Sequence, residues 1–313
     1  MRIGLDIMGG DYAPNSTVLG AIAAQAHLAT NQHLVLIGDK DLITPLLQEQ
    51  NFNPDHFEYI HTTEVIGMGE HPTKAIVQKP NSSISVGFQL LKEGNIDSFA
   101  SAGNTGAMLV GALFSVKAIP GVIRPAISAI MPKLKGGFKI LLDAGANADC
   151  KPENLLQFGI LGSLYAKHVY HIDDPQVGLM NLGEEAEKGS LLTQATYPLL
   201  KESKLINFFG NIEGRDLFND KADVVVCDGF TGNVMLKLAE SFYVLTLKKG
   251  LKDEFFDRFN YEQYGGSPIL GVNAPVMIGH GISSPEAIKN MILLSKEMVE
   301  TKIIEKFKTA FNS

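Results

Sequence analysis

One pattern recurs along the chain: a short apolar run, a glycine-bearing turn, then a stretch with helical periodicity. Leu5-Asp6-Ile7 runs into Met8-Gly9-Gly10-Asp11, residues 34–37 run into Gly38-Asp39, and Phe99-Ala100 runs into Ser101-Ala102-Gly103-Asn104-Thr105-Gly106. Residues 140–142 lead into Asp143-Ala144-Gly145-Ala146-Asn147, 177–182 into Gly183-Glu184-Glu185, and 206–209 into Gly210-Asn211. Residues 224–227 lead into Asp228-Gly229-Phe230-Thr231-Gly232-Asn233, and 276–278 into Gly279-His280-Gly281. Continuous apolar strands alternating with helices predict a mainly parallel sheet covered on both faces. Right-handed crossovers then bring the turns after successive strands to one rim, where such sheets bind ligands. Glycine supplies 31 of the 313 residues, above the average of roughly 7%, and the excess falls at those turns.

One break in the pattern narrows the architecture. Residues 126–131 and 138–142 flank Pro132-Lys133-Leu134-Lys135-Gly136-Gly137, which reads as a hairpin and hence an antiparallel element. An eightfold barrel does not accommodate it, so the expected fold is a three-layer α/β/α arrangement with a mainly parallel, mixed sheet. No Gly/Ser/Pro linker interrupts it, so residues 1–313 are expected to form a single domain. Asn15 or Ser16 is expected to cap a helix reaching residue 28, and Ser82 or Ser83 one through residue 91. Ser283-Ser284-Pro285-Glu286 is expected to open one long helix running into the lysine-rich tail.

Bulk properties exclude several classes. A net charge of −7 argues against nucleic acid as a partner. No apolar run approaches the roughly 18 residues of a membrane span. The chain opens on a strand-like Arg2-Ile3-Gly4-Leu5-Asp6-Ile7, so no signal peptide is expected. Cys150 and Cys227 are the only cysteines, far apart, which points to a reducing, cytoplasmic setting without disulfide or zinc.

The chemistry concentrates in the rim turns. Residues 101–106 end a strand and open a helix, so backbone N–H groups and a positive helix end converge on one point. That point either holds an anion such as phosphate, with Ser101, Asn104 and Thr105 adding short donors and Gly103 and Gly106 allowing close approach, or is an ordinary βα turn with a polar cap. In Asn181-Leu182-Gly183-Glu184-Glu185-Ala186-Glu187-Lys188-Gly189-Ser190, Lys188 either holds an anion as a point charge or pairs with Glu184 and Glu185. Because the lysine precedes the glycine, this is not a phosphate-binding P-loop. Asn233 either stabilises an oxyanion or caps a helix. Cys227 fits a buried strand position better than a nucleophile. Asp6 and Asp11 bracket Gly9 and Gly10, where they either organise the turn or bind a metal, and no metal site is assigned. Residues 236–259 alternate Phe242, Tyr243, Leu245, Leu247, Leu251, Phe255, Phe256 and Phe259 with Lys237, Lys248, Lys249, Lys252 and Arg258. That pattern suits an anionic lipid surface, an acidic partner, a core-facing helix or a dimer contact.

Taken together and in order, these motifs, with Cys150-Lys151-Pro152 and Gly210-Asn211-Ile212-Glu213-Gly214-Arg215-Asp216, closely resemble the phosphate acyltransferase (PlsX) family of bacterial phospholipid synthesis. The resemblance spans nearly the whole chain. It implies a fold similar to isocitrate and isopropylmalate dehydrogenases, a homodimer, and a cytoplasmic enzyme with peripheral membrane contact. It also implies transfer of a fatty acyl group from acyl carrier protein to inorganic phosphate, without a cofactor. A further acyltransferase of the acylglycerol-phosphate pathway would take up the product. Lys188 and Asn233 match the family residues linked to activity. Ser101, Gly103, Asn104, Thr105 and Gly106 are expected to bind phosphate, and Gly9, Gly10, Asp11, Asn147 and Thr231 to line the substrate pocket. Two departures stand out: the family's basic cluster before Ser82-Ser83 is reduced to Lys79, and the helical excursion at about 234–264 is shortened. Because phosphate is itself the nucleophile, no Ser/His/Asp array is required. The competing readings are a non-catalytic carrier- or membrane-docking scaffold and an oxidoreductase. The second is disfavoured because no GxGxxG follows a strand.

Overall fold

A computed structural model describes residues 1–312 and divides the chain into two compact units. The first comprises Met1–Lys117 and Glu262–Glu300; the second comprises Ala118–Tyr261 and the C-terminal residues from Thr301.

The first unit opens with β1 (Arg2–Asp6), α1 (Asn15–Gln25), β2 (His33–Gly38), α2 (Lys40–Glu49), β3 (Glu58–His61) and α3 (Pro72–Gln78). It continues with α4 (Ser83–Glu93), β4 (Ser98–Ser101) and α5 (Thr105–Ser115). The second unit carries β5 (Ala126–Pro132), β6 (Phe138–Leu142), α6 (Pro152–Val169), β7 (Gln176–Met180) and α7 (Leu191–Glu202). Then follow β8 (Asn207–Ile212), β9 (Val224–Val226), α8 (Gly229–Lys248) and α9 (Glu254–Asp257). The chain returns to the first unit as β10 (Ser267–Leu270), β11 (Val276–Ile278) and α10 (Pro285–Glu300), and ends in the second as α11 (Ile303–Phe311).

Each unit is mixed α/β. The strands of the first run in the order β3-β2-β1-β4-β11-β10, parallel except for the β10–β11 pair. Those of the second run β5-β6-β9-β7-β8, parallel except for the β5–β6 hairpin. The hairpin is the one read from sequence, with Ser128 opposite Leu142 and Pro132 opposite Phe138. Ile3, Leu5, Leu34, Leu36 and Phe99 are fully buried, as are Leu141, Val177, Val224 and Val226 in the second unit. Strands buried on both faces need continuous apolar sequence rather than alternation, which is why the runs were legible. In the first unit α1 packs on α10, and α4 and α5 pack on one another.

Several local expectations are corrected. Ser82 caps α4, accepting a hydrogen bond from Ser85 N at 3.3 Å. At α1, however, Asn15 and Ser16 are already helical, and Pro14 precedes them without a side-chain cap. Thr17 fixes that start instead, its hydroxyl donating to the carbonyls of Ile7 (2.6 Å) and Pro14 (2.8 Å). Gly210 is not a turn but lies inside β8, at φ 126° beside a register shift against β7. The expected last helix is two helices, because Lys302 adopts φ 52° and redirects the chain between α10 and α11.

The α1–α10 contact depends on Gly20. A Cβ built there would lie 2.5 Å from Ile288 Cβ and 2.8 Å from the Pro285 carbonyl. Gly20→Ala would gain about 1 kcal/mol of helix propensity, against about 1–3 kcal/mol for overpacking. Neither neighbour is the flexible end of a side chain, so the clash should dominate. Thermal unfolding should show a lower Tm for Gly20→Ala; an unchanged or raised Tm would refute this packing.

Candidate functional site

The first unit gathers three glycine turns, which follow β1, β4 and β11. Asp11 N donates to the Gly281 carbonyl at 2.7 Å, and Gly279 N donates to the Ser101 carbonyl at 2.8 Å. Gly9 permits the closest approach: a Cβ there would lie 2.5 Å from Asp6 Oδ2 and 2.7 Å from both Gly103 N and Ser101 Oγ. At the centre is the buried Asp6 carboxylate. Its Oδ2 accepts from Ser101 Oγ at 2.6 Å and its Oδ1 from Met8 N at 3.0 Å, while Ser101 Oγ accepts from Gly103 N at 2.9 Å. Asp6 thus organises the turns. Burial raises its pKa above the ordinary carboxylate range, against the lowering effect of the Ser101 hydrogen bond.

The structure divides the sequence-predicted phosphate residues by what their side chains already do. Ser101 is buried and bonded to Asp6. Asn104, also buried, caps α5 by accepting from Ala107 N at 3.0 Å. Its Nδ2 donates to the carbonyls of Gly67 (3.1 Å), Met68 (3.1 Å) and Glu70 (3.0 Å). Thr105, at the first position of α5, is exposed, and Gly106 beside it is half-buried. A Cβ on Gly106 would run into the Pro72 ring. An anion at this turn therefore meets the first amides of α5 and the Thr105 hydroxyl, while Ser101 and Asn104 fix the shape behind them. Lys79 is spent on the neighbouring loop, reaching Glu70 Oε1 at 2.5 Å and the Val65 carbonyl at 2.8 Å.

In the second unit Asp143, fully buried, plays the organising part. Its Oδ1 accepts from the backbone of Ile127 (3.0 Å), Gly145 (3.2 Å) and Ala146 (3.1 Å). Its Oδ2 accepts from Asn147 N (2.7 Å) and Asn147 Nδ2 (2.9 Å). The signal for Asp143 in the sequence is its position just after an apolar strand and four residues before Asn147. Asn147 also donates to the Pro125 carbonyl at 2.8 Å, and its carbonyl receives Gly229 N at 2.7 Å. Asp228 caps α8 through Thr231 N (2.8 Å) and the Thr231 hydroxyl (2.9 Å). Asn233 is therefore not a cap. It is exposed in α8, with Nδ2 3.3 Å from the Ala144 carbonyl. Gly232 allows that approach, since a Cβ there would strike the Asp143 carbonyl. Cys227 is buried, which raises its pKa well above the ordinary thiol range; Cys150 is pushed up to about 11 by burial and by Asp143. Neither has the lowered pKa of a nucleophilic thiolate.

The Lys188 segment is not helical, so helical pairing with Glu184 and Glu185 does not arise. Glu184 instead meets Lys221 at 2.6 Å and Arg215 at 3.7 Å. Asn211 Nδ2 donates to the Glu185 carbonyl at 2.8 Å and Asn181 Nδ2 to the Lys188 carbonyl at 3.0 Å. Among the described residues, the exposed Lys188 ammonium has no ion-pair partner. Glu184, Glu213 and Asp216 bring carboxylate oxygens within 4.8 Å of one another. Lys221 lies 3.1 Å from Asp216, and Arg215 pairs with Glu213, so two cations already occupy this cluster of three acids.

The fold belongs to a class that includes acyl-transferring enzymes. EutD phosphotransacetylase from Staphylococcus aureus superposes with a TM-score of 0.66 at 18% identity, over 96% of this chain and 94% of that one. A branched-chain phosphotransacylase from Enterococcus faecalis gives 0.64 at 15%, over 96% and 99%. A 4-hydroxythreonine-4-phosphate dehydrogenase from Klebsiella pneumoniae gives 0.57 at 13%, over 95% and 99%. Sequence is more specific. The chain belongs to the family described as "Fatty acid synthesis protein", whose model matches residues 1–306. It is 42% identical to the phosphate acyltransferase of Dictyoglomus turgidum over 100% of this chain and 98% of that protein. It is 44% identical to that of Pelotomaculum thermopropionicum over 100% and 96%.

The buried Asp6 carboxyl makes stability depend on pH with a definite sign. Its raised pKa means that the folded state keeps this proton where the unfolded chain has released it. The associated stability is present below the ordinary carboxylate range and lost as pH rises through Asp6's own, higher value. Urea unfolding across that interval should show the wild type losing stability relative to Asp6→Asn as pH rises. A difference that stays flat with pH would refute this state of Asp6.

Proposed function

We propose that the chain transfers a fatty acyl group from the thioester of acyl carrier protein to inorganic phosphate, for phospholipid synthesis. A phosphate oxygen attacks the thioester carbonyl, a C–O bond forms, the C–S bond breaks, and the carrier leaves as a thiolate that takes up a proton. The products are acyl phosphate and free carrier thiol. The observation that carries this reading is the start of α5, where Thr105 is exposed and Gly106 half-buried while Ser101 and Asn104 are locked behind them. Helix N-termini of this kind hold phosphate without a bound cation. The family and the full-length phosphate acyltransferase relatives support the same reaction.

In this reading Thr105 and the backbone N–H of Gly106 hold phosphate, Gly103 serves only to shape the turn, and Lys188 acts as a point charge. Asn233 donates to the oxyanion of the tetrahedral intermediate. Gly9, Gly10, Asp11, Asn147 and Thr231 are the residues this reading assigns to contact with the substrate. The chemistry then needs no protein nucleophile and no cofactor. Homodimer formation and peripheral membrane contact belong to the same reading. They are supported by Phe230, Val234, Leu238 and Leu245, which are exposed along one face of α8. Among the described residues, no helix is long and apolar enough to cross a membrane.

The direct test follows phosphate-dependent release of carrier thiol from acyl carrier protein thioester, with hydroxylamine trapping of acyl phosphate. Both products should appear together and only with phosphate. Lys188→Ala and Asn233→Ala should each lower the rate about 100-fold. Wild-type rates in either variant would remove that residue's role. Carrier binding without either product would overturn the reaction itself.

A further inference from the structure

The Gly67–Glu70 loop of the first unit carries a feature that phosphate binding leaves unused. Asn104 spends its side-chain amide on three carbonyls of this loop, those of Gly67, Met68 and Glu70. Glu70 closes the loop from the other side, accepting from Gly67 N at 2.7 Å and pairing with Lys79. The backbone is thus held from both sides, yet the side chain it presents, Met68, is 45% exposed. Met68 extends over the turn that follows β11, where a Cβ on Gly281 would lie 2.8 Å from Met68 Cε and 3.4 Å from Asp11 Oδ2. The same turns carry two more exposed apolar residues: Tyr12, next to Asp11 in the chain, is 58% exposed, and Ile282, next to Gly281, is 52% exposed. The Asp11 N to Gly281 O hydrogen bond ties their two turns together.

Tyr12, Met68 and Ile282 therefore lie on three linked turns of the rim that also bears the α5 N-terminus. An isolated exposed apolar residue needs no explanation. Three of them on turns tied together by hydrogen bonds, beside a helix start suited to an anion, offer a place for a ligand that is anionic at one end and apolar at the other. A methionine suits an apolar chain of variable length, because its unbranched, polarizable side chain adapts its shape.

We propose that Met68, with Tyr12 and Ile282 on the adjoining turns, contacts the fatty acyl chain of the thioester donor and sets its chain-length preference. This inference rests on the acyl-transfer reading above and names the part of that site which recognises the apolar portion of the substrate. Asn104 is, in turn, a positioning residue: it acts through the loop that carries Met68.

The test compares palmitoyl and butyryl thioesters of acyl carrier protein in wild type, Met68→Ser and Met68→Leu. The palmitoyl-to-butyryl ratio of kcat/KM should fall about 10-fold in Met68→Ser, as expected for losing one apolar contact. Met68→Leu should restore most of the ratio, and the KM for phosphate should follow wild type in both. Equal losses for the two donors, or a change confined to the KM for phosphate, would overturn the inference and leave Met68 a loop residue. Binding of a non-hydrolysable palmitoyl-pantetheine thioether, measured by calorimetry, separates the two claims. Binding weakened by Met68→Ser in a protein that shows no turnover would sustain the acyl contact and overturn the acyl-transfer reading. Wild-type affinity in Met68→Ser would overturn the contact whatever the turnover. Matching thermal unfolding of the variants guards against misfolding as the cause of any loss.

Discussion

Both rims depend on a buried carboxylate that receives hydrogen bonds at the carboxyl end of a strand. Asp6 ends β1 and Asp143 follows β6. Asp6 takes the Ser101 hydroxyl and the Met8 amide; Asp143 takes four backbone amides and the Asn147 side chain. Turns at these positions must leave helical and strand pairing, so their amides would be orphaned on burial. One carboxylate with two oxygens collects several of them at once. The glycines follow from the same constraint, because backbones drawn around a carboxylate come too close for a Cβ. Gly9 against Ser101 and Gly103, and Gly232 against the Asp143 carbonyl, are the clearest cases.

This explains which parts of the architecture could be read from sequence. Strand runs, the hairpin at 132–137 and the Ser82 cap are local signals, and each appears in the structure. Three features depend on tertiary surroundings and were misread. Gly210 looks like a turn but sits inside β8 at a register shift. Lys302, which breaks the last helix, carries no sequence mark of a left-handed residue. At α1, Thr17 replaces the expected cap only because the Ile7 carbonyl is within reach.

At the candidate site, sequence located the turns but could not tell which polar side chains face the ligand and which face inward. Ser101, Asn104 and Thr105 look equivalent as short donors. Burial separates them: the first two are consumed by Asp6 and by the Gly67–Glu70 loop, and Thr105 is left at the surface. The Lys188 segment shows the converse. Its three nearby acids suggest local pairing, but Lys221 and Arg215, distant in sequence, take Glu184. The lysine is left open by residues that no spacing rule connects to it.

A net charge of −7 makes these local arrangements more consequential. Long-range attraction cannot draw phosphate to an acidic chain, and at physiological salt fields between exposed charges fade within about 8 Å. The proposed reading therefore relies on short-range recognition by groups without net charge, such as the first amides of α5, which act only on an anion already in contact. In that reading Lys188 supplies one positive charge without a broad basic surface. An anion held in this way keeps its hydrogen-bonding oxygens engaged on one side, and an oxygen on the other side is free to attack a carbonyl. A guanidinium clamp would cover more of those oxygens. The economy of cations at the first unit's rim, where Lys79 is spent on Glu70 and the Val65 carbonyl, therefore fits a phosphate that must react rather than simply be bound.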